Sequence, residues 1–163
     1  MKHKPKDISF HYTNPEMVRD LLRITPISET DVVLDAGSGQ NKIWYNNLTT
    51  IVEKYEYEIE DGVDFLECDK KVDWVVGNPP FHQSWLFMEK SLKIAEKGFA
   101  FLINNTGLNS AFTPRRQQII REAGFCLNKI HIVSDARWFG RYYYLIFTKQ
   151  ENDLISWDKK TYK

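Results

Sequence analysis

The sequence predicts an α/β fold, with a mostly parallel sheet flanked by helices and a final antiparallel hairpin. Three observations predict it. Short apolar runs alternate with stretches of helical spacing along most of the 163 residues, the pattern that strand–helix–strand units produce. One apolar run ends at Gly37 and Gly39, and a later one ends at Gly77 before two prolines. The last two apolar runs follow one another with no helical stretch between them.

Residues 13–24 read as a helix. Thr13 or Asn14 can cap it, Pro15 suits its first turn, and Met17, Val18, Leu21 and Leu22 form an apolar stripe;. Asp31–Asp35 is a buried strand ending in glycines. A short helix is expected over Lys42–Leu48, a second strand over 54–59, and a very short third over Val63–Leu66. Val72–Val76 is a fourth strand, stopped by Gly77. Residues 82–96 have helical spacing through Trp85, Met88, Leu92 and Ala95, with Gly98 as the stop;. Phe99–Ile103 is a fifth strand, and Thr113-Pro114 opens a helix that ends near Gly124. Two strands close the chain at about 127–133 and 142–148.

The length suits a single domain over residues 1–163 with a core that needs neither disulfide nor metal;. Lysine and arginine balance aspartate and glutamate at 22 each, so no global basic field advertises nucleic acid;. Contacts to such a partner must come from local patches. Cys68 and Cys126 form no CxxC pair and sit near no histidine cluster, which argues against a zinc site and for reduced thiols in a cytoplasmic protein;. No metal ligand is assigned. The basic start, Met1 to Lys6, is followed by no apolar stretch, which argues against a signal peptide, and no run reaches membrane-spanning length;.

The first chemical constellation is Asp35-Ala36-Gly37-Ser38-Gly39. Glycines after a buried strand let the backbone turn tightly and approach a ligand closely. An acid at the end of the next strand can take ribose hydroxyls. Glu58 is placed for that, with Ile59 able to cover an adenine face and Glu60 as the second choice. A dinucleotide fingerprint needs a third glycine at position 42, where this chain has Lys42, which counts against NAD;. An ordinary strand-to-helix turn would use the same glycines.

The second constellation is Asn78-Pro79-Pro80-Phe81. Two consecutive prolines after a strand fix an extended path and remove two donors. The Asn78 amide oxygen and the Pro79 carbonyl can then accept both hydrogens of one NH₂ group. That keeps the nitrogen lone pair aimed at an electrophile without a protein nucleophile. Phe81 offers a flat face for a planar substrate. The structural alternative is a proline-terminated loop with a buried phenylalanine.

These two motifs, in this order, resemble the cofactor and catalytic motifs of the amino-methyltransferases. That group includes DNA and RNA adenine-N6 methyltransferases, some rRNA guanine methyltransferases and protein glutamine methyltransferases. Tyr12-Thr13-Asn14-Pro15 resembles the element that lies against the methionine part of the cofactor, and Asp64-Phe65 the acidic-aromatic pair at its adenine. The resemblance spans about residues 11–148. It implies a Rossmann-like methyltransferase fold and S-adenosylmethionine as cofactor. It assigns Tyr12, Thr13, Asp35, Gly37, Gly39, Glu58, Ile59, Asp64, Phe65 and Asn78 to the cofactor, and Asn78, Pro79 and Phe81 to catalysis. Asn41 stands where the group often has a third glycine, the segments before the fourth strand are short, and no insertion is large enough for a separate target-recognition domain.

Loops late in the chain line the substrate pocket in that group. Pro80, Phe81, Trp138 and Phe139 are the substrate-facing candidates, while Arg115, Arg116, Arg137 and Arg141 can meet phosphates;. A solvated surface is the better explanation for any one arginine, and core packing explains at least one of Tyr142, Tyr143 and Tyr144. The leading expectation is transfer of a methyl group to adenine N6 in DNA. RNA or protein glutamine is the second expectation, and a catalytically silent binding module is the third.

Overall fold

The computed structural model describes residues 13–137 and 140–149. Six strands form one sheet: β1 (Val32–Ala36), β2 (Glu53–Tyr57), β3 (Val72–Gly77), β4 (Ala95–Asn104), β5 (Cys126–Val133) and β6 (Tyr142–Thr148). Their order is β2-β1-β3-β4-β6-β5. The first four run parallel, and β6 lies antiparallel between β4 and β5. The chain steps outward from β1 to β2 and then returns to the other side of β1 to lay down β3. Strand order reverses there, so a crevice opens beyond the carboxyl ends of β1 and β3.

Helices cover both faces, and alternation along each strand decides which side chain meets which layer. On one face α1 (Pro15–Ile24) and α2 (Ile43–Asn47) pack Val18, Leu21 and Trp44 against Val33, Trp74, Leu102 and Ile146. On the other, α3 (Ser84–Ile94), α4 (Asn105–Ala111) and α5 (Pro114–Glu122) pack Met88, Ala111 and Ile120 against Leu34, Val75, Phe99, Phe101 and Phe147. Each such fully buried side chain contributes roughly 1.5–3 kcal/mol of transfer free energy. Strands covered on both faces read as nearly continuous apolar runs, which is why the parallel ones stand out in the sequence.

Local signals place the helix ends. Asn14 caps α1 by accepting the Glu16 amide at 2.8 Å, and Pro15 occupies its first turn;. Only five residues long, α2 gains a charged cap at its end, where the Lys54 ammonium donates to the Tyr45 and Leu48 carbonyls, each at 3.1 Å;.

Four expectations change. No strand forms over Val63–Leu66; the Asp64 side chain accepts the Leu66 amide at 2.9 Å and turns the segment into a 3₁₀ turn, Phe65–Glu67;. The second strand stops at Tyr57 rather than Ile59, because the Tyr57 carbonyl takes the Gly37 and Ser38 amides at 2.9 and 3.0 Å, and another 3₁₀ turn, Ile59–Asp61, follows. Gly98 does not stop a helix. The helix ends at Ile94 and β4 starts at Ala95, while a Cβ on Gly98 would lie 2.4 Å from the Trp74 ring. Finally, α4 went unread. Its Asn104-Asn105-Thr106-Gly107 start looks like a loop, but Asn104 caps it by accepting the Gly107 amide at 2.9 Å.

Candidate active site

The two sequence motifs meet at the crevice beyond β1 and β3. A cavity of about 290 Å³ opens there between the Gly37–Asn41 turn, the Glu58–Glu60 segment, Asp64-Phe65 and Asn78–Phe81. Gly37 and Gly39 both have φ +67°, a left-handed conformation that favours glycine. Gly77, with φ +150°, lets β3 close on β1: a Cβ there would lie 2.7 Å from the Ala36 carbonyl oxygen and 3.3 Å from Asp35 Oδ1. Gly39 is required by its backbone conformation alone, since a Cβ there would meet nothing within 4 Å, whereas Gly77 is required by its close neighbours.

Glu58 and the glycine turn are joined directly, the Gly39 amide donating to Glu58 Oε2 at 2.6 Å. Ile59 lines the cavity and is 67% exposed, an apolar surface with nothing yet to cover. Glu60 also lines it and accepts from the Gln40 side chain at 2.9 Å. Phe65 is buried with its ring centroid 4.9 Å from that of Phe87, so it supports the wall more than it presents a face.

Asp35 sits under the turn, fully buried. One carboxylate oxygen accepts the Tyr45 amide at 2.9 Å, and the other has no partner. Burial pushes its carboxyl up to about 8; the Tyr45 amide opposes this, and the Glu56 and Glu58 carboxylates add to it;.

Asn78 lines the same cavity. Its Nδ2 donates to the Thr13 hydroxyl at 3.1 Å, while its Oδ1 is buried with no partner. The neighbouring carbonyls of Pro80 and Phe81 are claimed by the Gln83 amide at 2.8 Å and the Ser84 hydroxyl at 2.9 Å. Among the described residues none donates to the Pro79 carbonyl. Pro79 is buried, Pro80 is exposed, and the half-buried Phe81 ring lies 5.7 Å from that of Tyr142. A buried polar atom left unpaired costs about 1–3 kcal/mol, and among the described residues Asn78 Oδ1 is one such atom.

The structure thus gathers Thr13, Gly37, Gly39, Glu58, Ile59, Asp64, Phe65, Asn78, Pro79, Pro80 and Phe81 around one cavity. Asp35 lies beneath it. The arginines are elsewhere. Arg116 lies over the Trp85 ring at 4.7 Å and donates to the Ser110 carbonyl at 2.7 Å; Arg137 pairs with Asp135; Arg115 and Arg141 are exposed. None of the four lines the cavity. Tyr12, Trp138 and Phe139 lie outside the described residues. Ile43, Trp44, Gln83 and Phe87 also line the cavity and carry no sequence signal, since they read as ordinary helix positions.

Among the described residues there is no group of three or more His, Cys, Asp or Glu side chains placed to hold a metal ion, and no helix long and apolar enough to cross a membrane. Cys68 and Cys126 are both buried and are not joined in a disulfide.

No family model matches the chain, and no curated protein matches it. Solved structures do. Magnesium protoporphyrin IX methyltransferase from Synechocystis PCC 6803, with bound SAH, aligns at TM-score 0.60 and 14% identity over 83% of this chain and 81% of that one. A proposed RNA methyltransferase from Pyrococcus horikoshii aligns at TM-score 0.60 and 18% identity over 90% and 91%. The 23S rRNA methyltransferase ErmE aligns at TM-score 0.65 and 12% identity over 90% and 72%. At these identities the likeness shows the fold, a Rossmann-like methyltransferase sheet with its antiparallel final pair.

Proposed function

We propose that this chain is an S-adenosylmethionine-dependent N-methyltransferase that transfers a methyl group to the exocyclic N6 of adenine in DNA. The observation that carries the reading is Asn78 Oδ1: buried, without a partner among the described residues, and belonging to a residue that lines the same cavity as the glycine turn. The cavity suits the cofactor. Gly37 and Gly39 leave the turn open to close backbone approach, the Glu58 carboxylate is positioned for ribose hydroxyls, and Ile59 offers an uncovered apolar face for an adenine ring. Asp64 lies farther along the same wall. When bound, S-adenosylmethionine supplies a sulfonium methyl already activated for in-line displacement.

The protein's task is then orientation. Asn78 Oδ1 and the Pro79 carbonyl accept the two hydrogens of the substrate NH₂, which fixes its lone pair toward the methyl donor. Phe81 stacks on the planar base, and Pro80 borders it. As the amine nitrogen bonds to the methyl carbon it takes over the sulfonium's positive charge, the Asn78 oxygen stabilises that charge, and one N–H proton is then lost to solvent. The stacking surface favours a nucleobase over a flexible glutamine side chain. RNA is the second reading, favoured by the two similar structures described as RNA methyltransferases.

The test is methyl transfer from labelled cofactor to DNA, RNA and protein in parallel, followed by nucleoside mass spectrometry, with Asn78→Ala as control. N6-methyladenine appearing in DNA alone supports the reading. Label only in RNA, or only in protein, refutes the DNA assignment. A chain that binds cofactor and labels nothing is a silent binding module.

A further inference from the structure

Position 42 is where a third glycine would complete a dinucleotide-type turn, and Lys42 does something there that glycine cannot. Its backbone is left-handed, φ 47° and ψ 41°, a conformation that side-chain-bearing residues adopt at a cost. Its ammonium reaches back under the turn to hydrogen-bond Glu56, and lies 3.5 Å from Asp61. The second Glu56 oxygen accepts the Ser38 hydroxyl at 2.6 Å. Two residues on, Glu58 accepts the Gly39 amide at 2.6 Å. The glycine turn, the end of β2 and the 3₁₀ turn carrying Ile59 are therefore tied around one cation.

The charges explain why a cation is needed. Glu56, Glu58 and Asp61 bring three carboxylates to the neighbourhood of the glycine turn, and among the described residues Lys42 is the cation paired with Glu56 and Asp61. Burial works against ionised Glu56, yet the Lys42 ammonium and the Ser38 hydroxyl outweigh it and hold its carboxyl below the ordinary glutamate value.

We propose that Lys42 is a positioning residue for the cofactor: it straps Glu56 and Asp61 and thereby holds Glu58 and Ile59 where ribose and adenine meet them. The proposal rests on the cofactor reading above. Lys42 touches neither the methyl group nor the amine, so it acts on cofactor affinity rather than on the chemical step.

Lys42→Gly is the discriminating variant, because glycine suits the left-handed backbone and lacks only the ammonium. Calorimetry with S-adenosylmethionine and with S-adenosylhomocysteine, on wild type, Lys42→Gly and Lys42→Arg, reads the effect. We expect Lys42→Gly to lose about fivefold or more in affinity, the upper range for a half-exposed ion pair, and to raise the cofactor KM with kcat preserved. Its melting temperature should stay close to that of wild type, since the backbone gains what the ion pair loses. Lys42→Arg should recover most of the affinity, and high salt should narrow the gap between wild type and Lys42→Gly. A Lys42→Gly variant that binds as tightly as a binding wild type overturns the strap while leaving the cofactor reading intact. A wild type that binds neither compound overturns that reading, and the strap with it.

Discussion

Asn78 Nδ2 donates to the Thr13 hydroxyl at 3.1 Å across 65 positions of sequence, and the same amide leaves Oδ1 buried without a partner. The bond fixes the amide of a residue that lines the cavity. Thr13→Val keeps the shape and removes the acceptor. We expect turnover to fall about tenfold, the net worth of one hydrogen bond, with cofactor affinity unchanged and Thr13→Ser restoring most of the rate. Asn78→Ala removes the oxygen itself and should cost on the order of 100-fold or more in rate, again with cofactor bound. Single-turnover kinetics beside calorimetry separate the two effects. Cofactor affinity lost in Thr13→Val with turnover intact would put Thr13 on the cofactor instead.

Gly37 and Glu58 make the cofactor side testable without turnover. A side chain at Gly37 meets two obstacles, φ +67° and a Phe87 ring atom 3.3 Å from the would-be Cβ. Glu58→Ala deletes the carboxylate that bonds the Gly39 amide and that the proposed function assigns to the ribose. We expect Gly37→Val to abolish measurable cofactor binding and Glu58→Ala to weaken it roughly 10- to 100-fold, the range for a hydrogen bond to a charged group. Undiminished affinity in both variants would remove the cofactor from this turn.

Asp35 gives a stability prediction that needs no ligand. Its folded carboxyl is pushed up to about 8 from an ordinary 3.8, so the folded state holds a proton that the unfolded state has released. Stability contributed by this group is fully present below pH 4 and is lost as pH rises through about 8; above that it is constant. Asp35→Asn keeps the acceptor for the Tyr45 amide and cannot titrate. Between pH 5 and pH 7.5, the stability of wild type relative to Asp35→Asn should fall by as much as about 1.4 kcal/mol per pH unit. Denaturant melts at several pH values read the difference directly, and a difference that is flat with pH would mean Asp35 is ionised throughout.

Sequence patterning reached the fold and the ends of the site, and missed what joins them. The strands β1 and β3 are apolar runs that stop at glycine or just before proline, so their limits were legible within a residue or two. The Asn78 and Gly37 motifs were legible because their chemistry resides in adjacent residues. By contrast, the Thr13–Asn78 bond and the Lys42–Glu56 pair join residues far apart in sequence, and only the fold brings them together. Gly98 misled for the same reason: a glycine after a helical run looks like a stop, whereas its need is the Trp74 ring from the neighbouring strand. Arg116 reads as a phosphate candidate in the sequence, which gives no sign that its guanidinium lies over the Trp85 ring.

Phe81 carries the substrate prediction. Its ring is half-buried beside Tyr142, at 5.7 Å between centroids, and it directly follows the exposed Pro80. If a base stacks there, Phe81→Ala removes roughly 1–3 kcal/mol of substrate engagement. That loss should raise the KM for polynucleotide while leaving cofactor affinity unchanged, and Phe81→Trp should preserve binding. The cavity is recessed, so a base in a duplex must leave its stack at a cost of a few kcal/mol. No arginine lines the cavity to offset that cost, and the formal net charge is zero, so phosphate contacts must be local and few. An adenine that is unpaired or mismatched should therefore be methylated faster than the same adenine in a perfect duplex, and the advantage should persist in Phe81→Trp but shrink in Phe81→Ala. Initial rates on matched, mismatched and single-stranded oligonucleotides measure this. Equal rates on all three, or a Phe81→Ala variant with unchanged polynucleotide KM, would remove base stacking from the mechanism and leave an amide side chain as the better substrate.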